Sequence, residues 1–183
     1  MKNITVQMLG FENPHPELNR FHDSPRLSLR QTFARIAQTL PDQAAVTFYQ
    51  NEYGVAACIH PYAGQDEPKL SYQFHPDHQS VIIRRIHAGG YAGKGLGTAM
   101  IASQLPLWRA LGAAQIGVLA HGGSAGFYEK LGFAPVHMLP EYPWSQQCLL
   151  TPMRLDLQNP TQDEVLTRAC GKVRPLTDPA FRL

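Results

Sequence analysis

The chain has 183 residues and a mass of 20.3 kDa, the size of a single domain with a full core. Apolar residues make up 44% and charged ones 16%, too apolar for a disordered chain, yet no run reaches the ~18 apolar residues of a membrane-spanning helix. The net charge of +2 lacks the basic excess that marks nucleic-acid binders. The three cysteines, Cys58, Cys148 and Cys170, are far apart and include no CxxC pair, which argues against a disulfide framework. That pattern fits a reducing cytoplasm, and the first twenty residues show no apolar core or cleavage site of a secretory signal.

In chain order, Ile4 to Leu9 alternate and predict a short opening strand. Asn13-Pro14-His15-Pro16 reads as a loop. Leu29, Phe33, Ile36, Ala37 and Leu40 form one apolar stripe at helical spacing, started by a Ser28/Gln31 capping box or by the competing Ser24-Pro25, and stopped by Pro41. Ala44–Tyr49 and Val55–His60 predict an antiparallel hairpin around Asn51-Glu52-Tyr53-Gly54. Leu70, Tyr72 and Phe74 alternate as a short extra strand, and a His75-Pro76-Asp77-His78 loop leads to a strand over Val81–His87. A helix carrying Leu96, Met100, Ile101, Leu105, Trp108 and Leu111 comes next, with Pro106 expected to kink it or end its first half. Ile116–Ala120 reads as a buried strand, Ser124–Leu131 as a short helix stopped by Gly132, and Cys148–Leu155 as a late strand. The last stretch holds a weak helix around Asp163–Ala169 and a Pro-containing tail.

The glycines of Ala88-Gly89-Gly90-Tyr91-Ala92-Gly93-Lys94-Gly95-Leu96-Gly97 stand between a strand and a helix, where free backbone N–H groups and the helix dipole favour an anion. A Walker A loop is excluded, because Gly93-Lys94 precedes Gly95 and its first glycine position holds Ala88. A dinucleotide fingerprint is excluded too, since the third glycine position falls on Thr98. Farther on comes Gly126-Phe127-Tyr128-Glu129-Lys130-Leu131-Gly132-Phe133.

This order of strand, GKGLG, helix, strand and FYEKLGF resembles the GNAT superfamily of acyl-CoA-dependent N-acetyltransferases, closely over residues 80–134 and more loosely over 1–155. The resemblance implies an α/β (α+β) fold: a mixed, mostly antiparallel sheet that splays at its centre and is flanked by helices. It also implies transfer of an acetyl group from acetyl-CoA, a co-substrate, to a primary amine with no metal. Backbone groups of Ile86, His87 and Ala88 would meet the pantetheine arm, and those of Gly93, Lys94, Gly95, Leu96, Gly97 and Thr98 the pyrophosphate. Tyr128 falls where the superfamily commonly has the acid that protonates the leaving thiolate. Two positions depart from the pattern: Ala92 replaces an Arg or Gln, and His121 an Asn. His121 and Ser124 complete the implied cofactor set.

Direct transfer needs a neutral amine, an oxyanion donor and an acid for the thiolate. A backbone N–H near Ile86 or His87 would serve as the donor, and Tyr128 stays protonated at neutral pH. For the base, His87 has the right chemistry, with water as the alternative. Arg85 either orients an acidic acceptor or lies on a solvated face. His75 and His78 lack a second ligand pair, Cys58 reads as core, and Tyr142 and Trp144 either line an acceptor pocket or pack in a loop. The acceptor is expected between the Leu29–Leu40 helix and the loops at 61–79 and 135–147. It is a small-molecule or protein amine, with nucleic acid and membrane disfavoured and a homodimer left open. Residues 1–155 would form the acyltransferase domain, and 156–183 an extension packed on it or on a partner, with Cys170 outside the core. A CoA-binding module without turnover and a transferase of longer acyl chains are the competing readings.

Overall fold

The computed structural model describes residues 5–9, 40–41, 44–51, 54–61, 68–142, 149–178 and 181. Most of the stripe from Leu29 to Leu40, Trp144 and Cys148 lie outside these residues. Eight strands form one sheet: β1 (Thr5–Leu9), β2 (Ala45–Asn51), β3 (Gly54–His60), β4 (Lys69–His75), β5 (Ser80–His87), β6 (Gln115–Ala120), β7 (Ala134–Pro135) and β8 (Thr151–Asp156). Their order across the sheet is β1-β2-β3-β4-β5-β6-β8-β7. Only β1·β2 and β5·β6 pair in parallel, so the sheet is mixed and mostly antiparallel.

Among the described residues three α-helices accompany it: α1 (Leu96–Ala110), α2 (Ala125–Glu129) and α3 (Pro160–Gly171). The alternation Leu70, Tyr72, Phe74 makes a seven-residue strand and not a short extra one. β4 lies in the middle of the sheet, and all three side chains are buried. α1 lies over that face: the Tyr72 and Trp108 rings meet edge to face at 5.1 Å, and the Tyr72 hydroxyl donates to Gln104 Oε1 at 3.1 Å. Trp108, Tyr72 and Phe74 are among the largest fully buried side chains, so the core sits between sheet and helix.

Pro106 does not end α1, which runs unbroken through it. Pro106 is exposed, so the Ala102 carbonyl that it cannot serve as a donor faces the wetter side of the helix. The two-residue β7 was hidden in a Pro-punctuated stretch, since Ala134-Pro135 has no periodicity to read.

The final segment belongs to the same core. Asn159 caps α3 by accepting from the Thr161 and Gln162 N–H groups, Leu166, Leu176 and Phe181 are buried, and Arg109 of α1 meets Asp163 at 2.6 Å. Cys170 is half-buried against this cluster rather than standing clear of it, and burial pushes its thiol up to about 11. Leu166→Ala should therefore lower unfolding free energy by about 2–5 kcal/mol, the usual cost of emptying a buried leucine site, in urea denaturation. A loss below about 0.5 kcal/mol would mean the segment is an independent appendage.

Candidate active site

The site begins with an irregularity in β5. Ser71 pairs with Arg85 and Tyr72 with Ile83, so Arg84 is skipped in the ladder, and such a bulge bends and twists a strand. On its other edge β5 pairs with β6 only from Ser80↔Gln115 to Ile83↔Val118. Beyond that point β5 continues to His87 and β6 to Ala120 without pairing to each other. Among the described residues no strand pairs with β5 along the parted edge.

A cleft of about 410 Å³ fills this opening. Ile82–Ile86 form one wall and Val118, Leu119, His121, Ser124 and Tyr128 the other, with Tyr142 and Leu150 at the side. β5 then runs through a short turn at Gly89–Tyr91 into the start of α1. Gly93 and Gly95 have φ of +79° and +85°, which a side chain would strain. Gly95 is the N-cap of α1, and among the described residues no side chain caps the N–H groups of its first turn. Gly97 is needed for contact of a different kind: a Cβ there would lie 3.2 Å from the Phe127 ring and 3.5 Å from Ile86.

Comparison with solved structures finds acetyltransferases. Tetrahymena GCN5 aligns with a TM-score of 0.42 at 14% identity, covering 54% of this chain and 66% of that one. PaiA N-acetyltransferase of Thermoplasma acidophilum, solved with coenzyme A, gives 0.41 at 12%, covering 55% and 59%. Spermidine N-acetyltransferase of Vibrio cholerae gives 0.43 at 16%, covering 62% and 70%. The chain thus spans about three fifths to two thirds of the first two structures. No family model matches the chain, and no curated protein matches it in sequence.

The fold itself is a mixed, mostly antiparallel sheet in which the parallel neighbours β5 and β6 part. Within it, the sequence-predicted residues divide among three places. Ile86, His121, Ser124 and Tyr128 come together around the cleft. Gly93 and Lys94 lie at a second cavity, of about 310 Å³, and Leu96 to Thr98 form the first turn of α1. His87 is half-buried at the end of β5, opposite Lys69, and with Ala88 sits just past the cleft-lining run. The Ser124 hydroxyl donates to the His121 carbonyl at 2.9 Å, which holds the turn before α2.

Tyr128 packs edge to face on Phe127 and Phe133, with ring centroids 4.9 and 5.5 Å away. Its ring is 5% exposed, and burial pushes the phenol up to about 12. Its hydroxyl has no hydrogen-bond partner among the described residues, and it lines the cleft as a protonated donor. Cys58 Sγ lies 3.1 Å from His60 Nε2 on β3, apart from the cleft. Among the described residues no three His, Cys, Asp or Glu side chains gather as a metal would require, and no helix is long and apolar enough to cross a membrane.

Several lining residues escaped sequence reasoning, among them two arginines. Arg84 and Leu150 reach the cleft through the bulge and through the approach to β8. Arg174 and Phe181 reach the glycine turn from the far end of the chain, where they line the second cavity with Gly93 and Lys94. No spacing rule links residues so distant in sequence. For Arg84 the only available signal is an adjacent Arg84-Arg85 pair inside an otherwise apolar strand.

Proposed function

We propose that the chain is an acyl-CoA-dependent N-acetyltransferase that moves an acetyl group from acetyl-CoA to a primary amine within a ternary complex. The observation that carries this reading is the cleft between the parted β5 and β6, with the Tyr128 phenol on its wall and the glycine turn at the end of β5. The pantetheine arm of CoA lies along Ile86, His87 and Ala88, using backbone groups that β6 does not pair. The diphosphate rests on the N–H groups of Gly93, Lys94, Gly95, Leu96, Gly97 and Thr98. His121 and Ser124 form the facing wall.

In this reading a backbone N–H at the end of β5 receives the carbonyl oxygen as it gains charge. The amine nitrogen bonds to the acyl carbon, the carbon–sulfur bond breaks, and Tyr128 gives its proton to the departing thiolate. The proton lost by the amine goes to His87 or to water and returns to the phenolate through solvent. Binding both substrates in one cleft supplies proximity, so no covalent enzyme intermediate is needed.

Ala92 offers no side chain to the diphosphate, and Arg174 supplies the missing positive charge from the other end of the chain. Its guanidinium is well exposed, and its ion pair to Asp178 is long at 3.9 Å. Such a pair is worth little and gives way readily to a phosphate. Titration calorimetry tests this: CoA should bind saturably, and Arg174→Ala should weaken it about 10-fold, in line with one lost charge-assisted hydrogen bond. An unchanged affinity in the variant would remove Arg174 from the site, while no binding to the unaltered protein would refute the acyl-CoA assignment itself.

A further inference from the structure

The charges around the cleft point to the class of acceptor. Arg84 and Arg85 are both exposed and both line it. Arg84, skipped in the β4–β5 ladder, donates from Nε to the Tyr142 hydroxyl at 3.2 Å, which fixes the guanidinium and directs its remaining N–H groups elsewhere. Among the described residues the Arg85 side chain makes no hydrogen bond or ion pair. Among the described residues no carboxylate lines the cleft. Two carboxylates adjoin lining residues in sequence: Glu141, beside Tyr142, has its side chain 1% exposed and pairs with Arg154 at 3.2 Å, and Glu129, beside Tyr128, is exposed and does not line the cleft. Among the described residues the cleft lining therefore holds two permanent positive charges and no negative one.

We infer that the acceptor is a small amine that also carries an anionic group, a carboxylate or a phosphate, held by Arg84 and Arg85. A guanidinium is a fork of parallel donors that matches the paired oxygens of either group. Two cations at the cleft also repel a polyamine, whose charge is all positive. The same repulsion acts on the reacting nitrogen. Nearby cations disfavour its ammonium form and so enlarge the neutral fraction that can attack the thioester.

This inference rests on the acetyltransferase reading, and matched pairs of amines separate the two. The measurement is thiol release from acetyl-CoA with lysine against cadaverine, phenylalanine against phenethylamine, and phosphoethanolamine against ethanolamine. The anionic member of at least one pair should have kcat/KM at least 10-fold higher, and the pair identifies carboxylate or phosphate. Arg84→Gln and Arg85→Gln should each raise KM for that acceptor while leaving KM for acetyl-CoA unchanged. Arg84→Glu with Arg85→Glu should reverse the preference within the pair. Equal or better turnover of the decarboxylated or dephosphorylated partners overturns the inference and leaves the acetyltransferase intact. Acetyl-CoA binding without release from any pair also overturns it. Loss of acetyl-CoA binding in the unaltered protein instead removes the reading beneath it.

Discussion

Tyr128→Phe is expected to retain acetyl-CoA binding while lowering turnover by about 10²-fold or more, the usual scale for losing a positioned proton donor. The substitution removes one oxygen that has no hydrogen-bond partner among the described residues, and it keeps the ring that packs on Phe127 and Phe133. The fold should therefore survive the change, and the deficit should fall on kcat rather than on KM for acetyl-CoA. Because burial holds the phenol at about 12, it stays protonated across neutral pH. Any rise in rate between pH 6 and 9 then belongs to deprotonation of the amine or of its base, and it should persist in the variant. Turnover equal to that of the unaltered protein would assign the proton to another donor.

Gly95→Val should abolish the thermal stabilisation that acetyl-CoA confers. At φ +85° a β-branched residue costs about 1–2 kcal/mol and pushes the first turn of α1 out of shape. The same N–H groups are those proposed to hold the diphosphate. Space is not the obstacle, since a Cβ at Gly95 would lie an ordinary 3.7 Å from Val173. Gly112, just past the other end of α1 at φ +78°, is the control. Gly112→Val carries the same strain away from the cleft, and it should lower the melting temperature while leaving the shift with acetyl-CoA intact. That shift is about 2.7 kcal/mol of stabilisation at a hundredfold excess over Kd. A full ligand shift in Gly95→Val would place the diphosphate elsewhere.

The parts of the molecule legible in the sequence are those set by local periodicity. The Val81–His87 run, the glycine turn and the α1 stripe each encode their own conformation, and their order was enough to suggest the fold type. What escaped depends on partners remote in sequence. Leu70, Tyr72 and Phe74 alternate as in any strand, and only pairing on both sides makes β4 central, with Gln73 buried on its other face. Pro106 counts against a helix locally, but α1 is held by Leu105, Leu107 and Trp108 in the core. The bulge at Arg84 is a matter of register between two strands, so neither strand's sequence announces it. The same holds for the tail, whose weak helical signal concealed Leu166 and Phe181 in the core and Arg174 at the glycine turn.

The central claim is that this cleft transfers an acyl group rather than merely holding CoA. The most direct measurement is release of free thiol from acetyl-CoA with and without an amine, with the acetylated amine quantified in the same reaction. The predicted result is release that depends on the amine, with one acetylated product formed per thiol. Saturable acetyl-CoA binding with no amine-dependent release, from any small amine or peptide, would contradict it and make the protein a CoA-binding module.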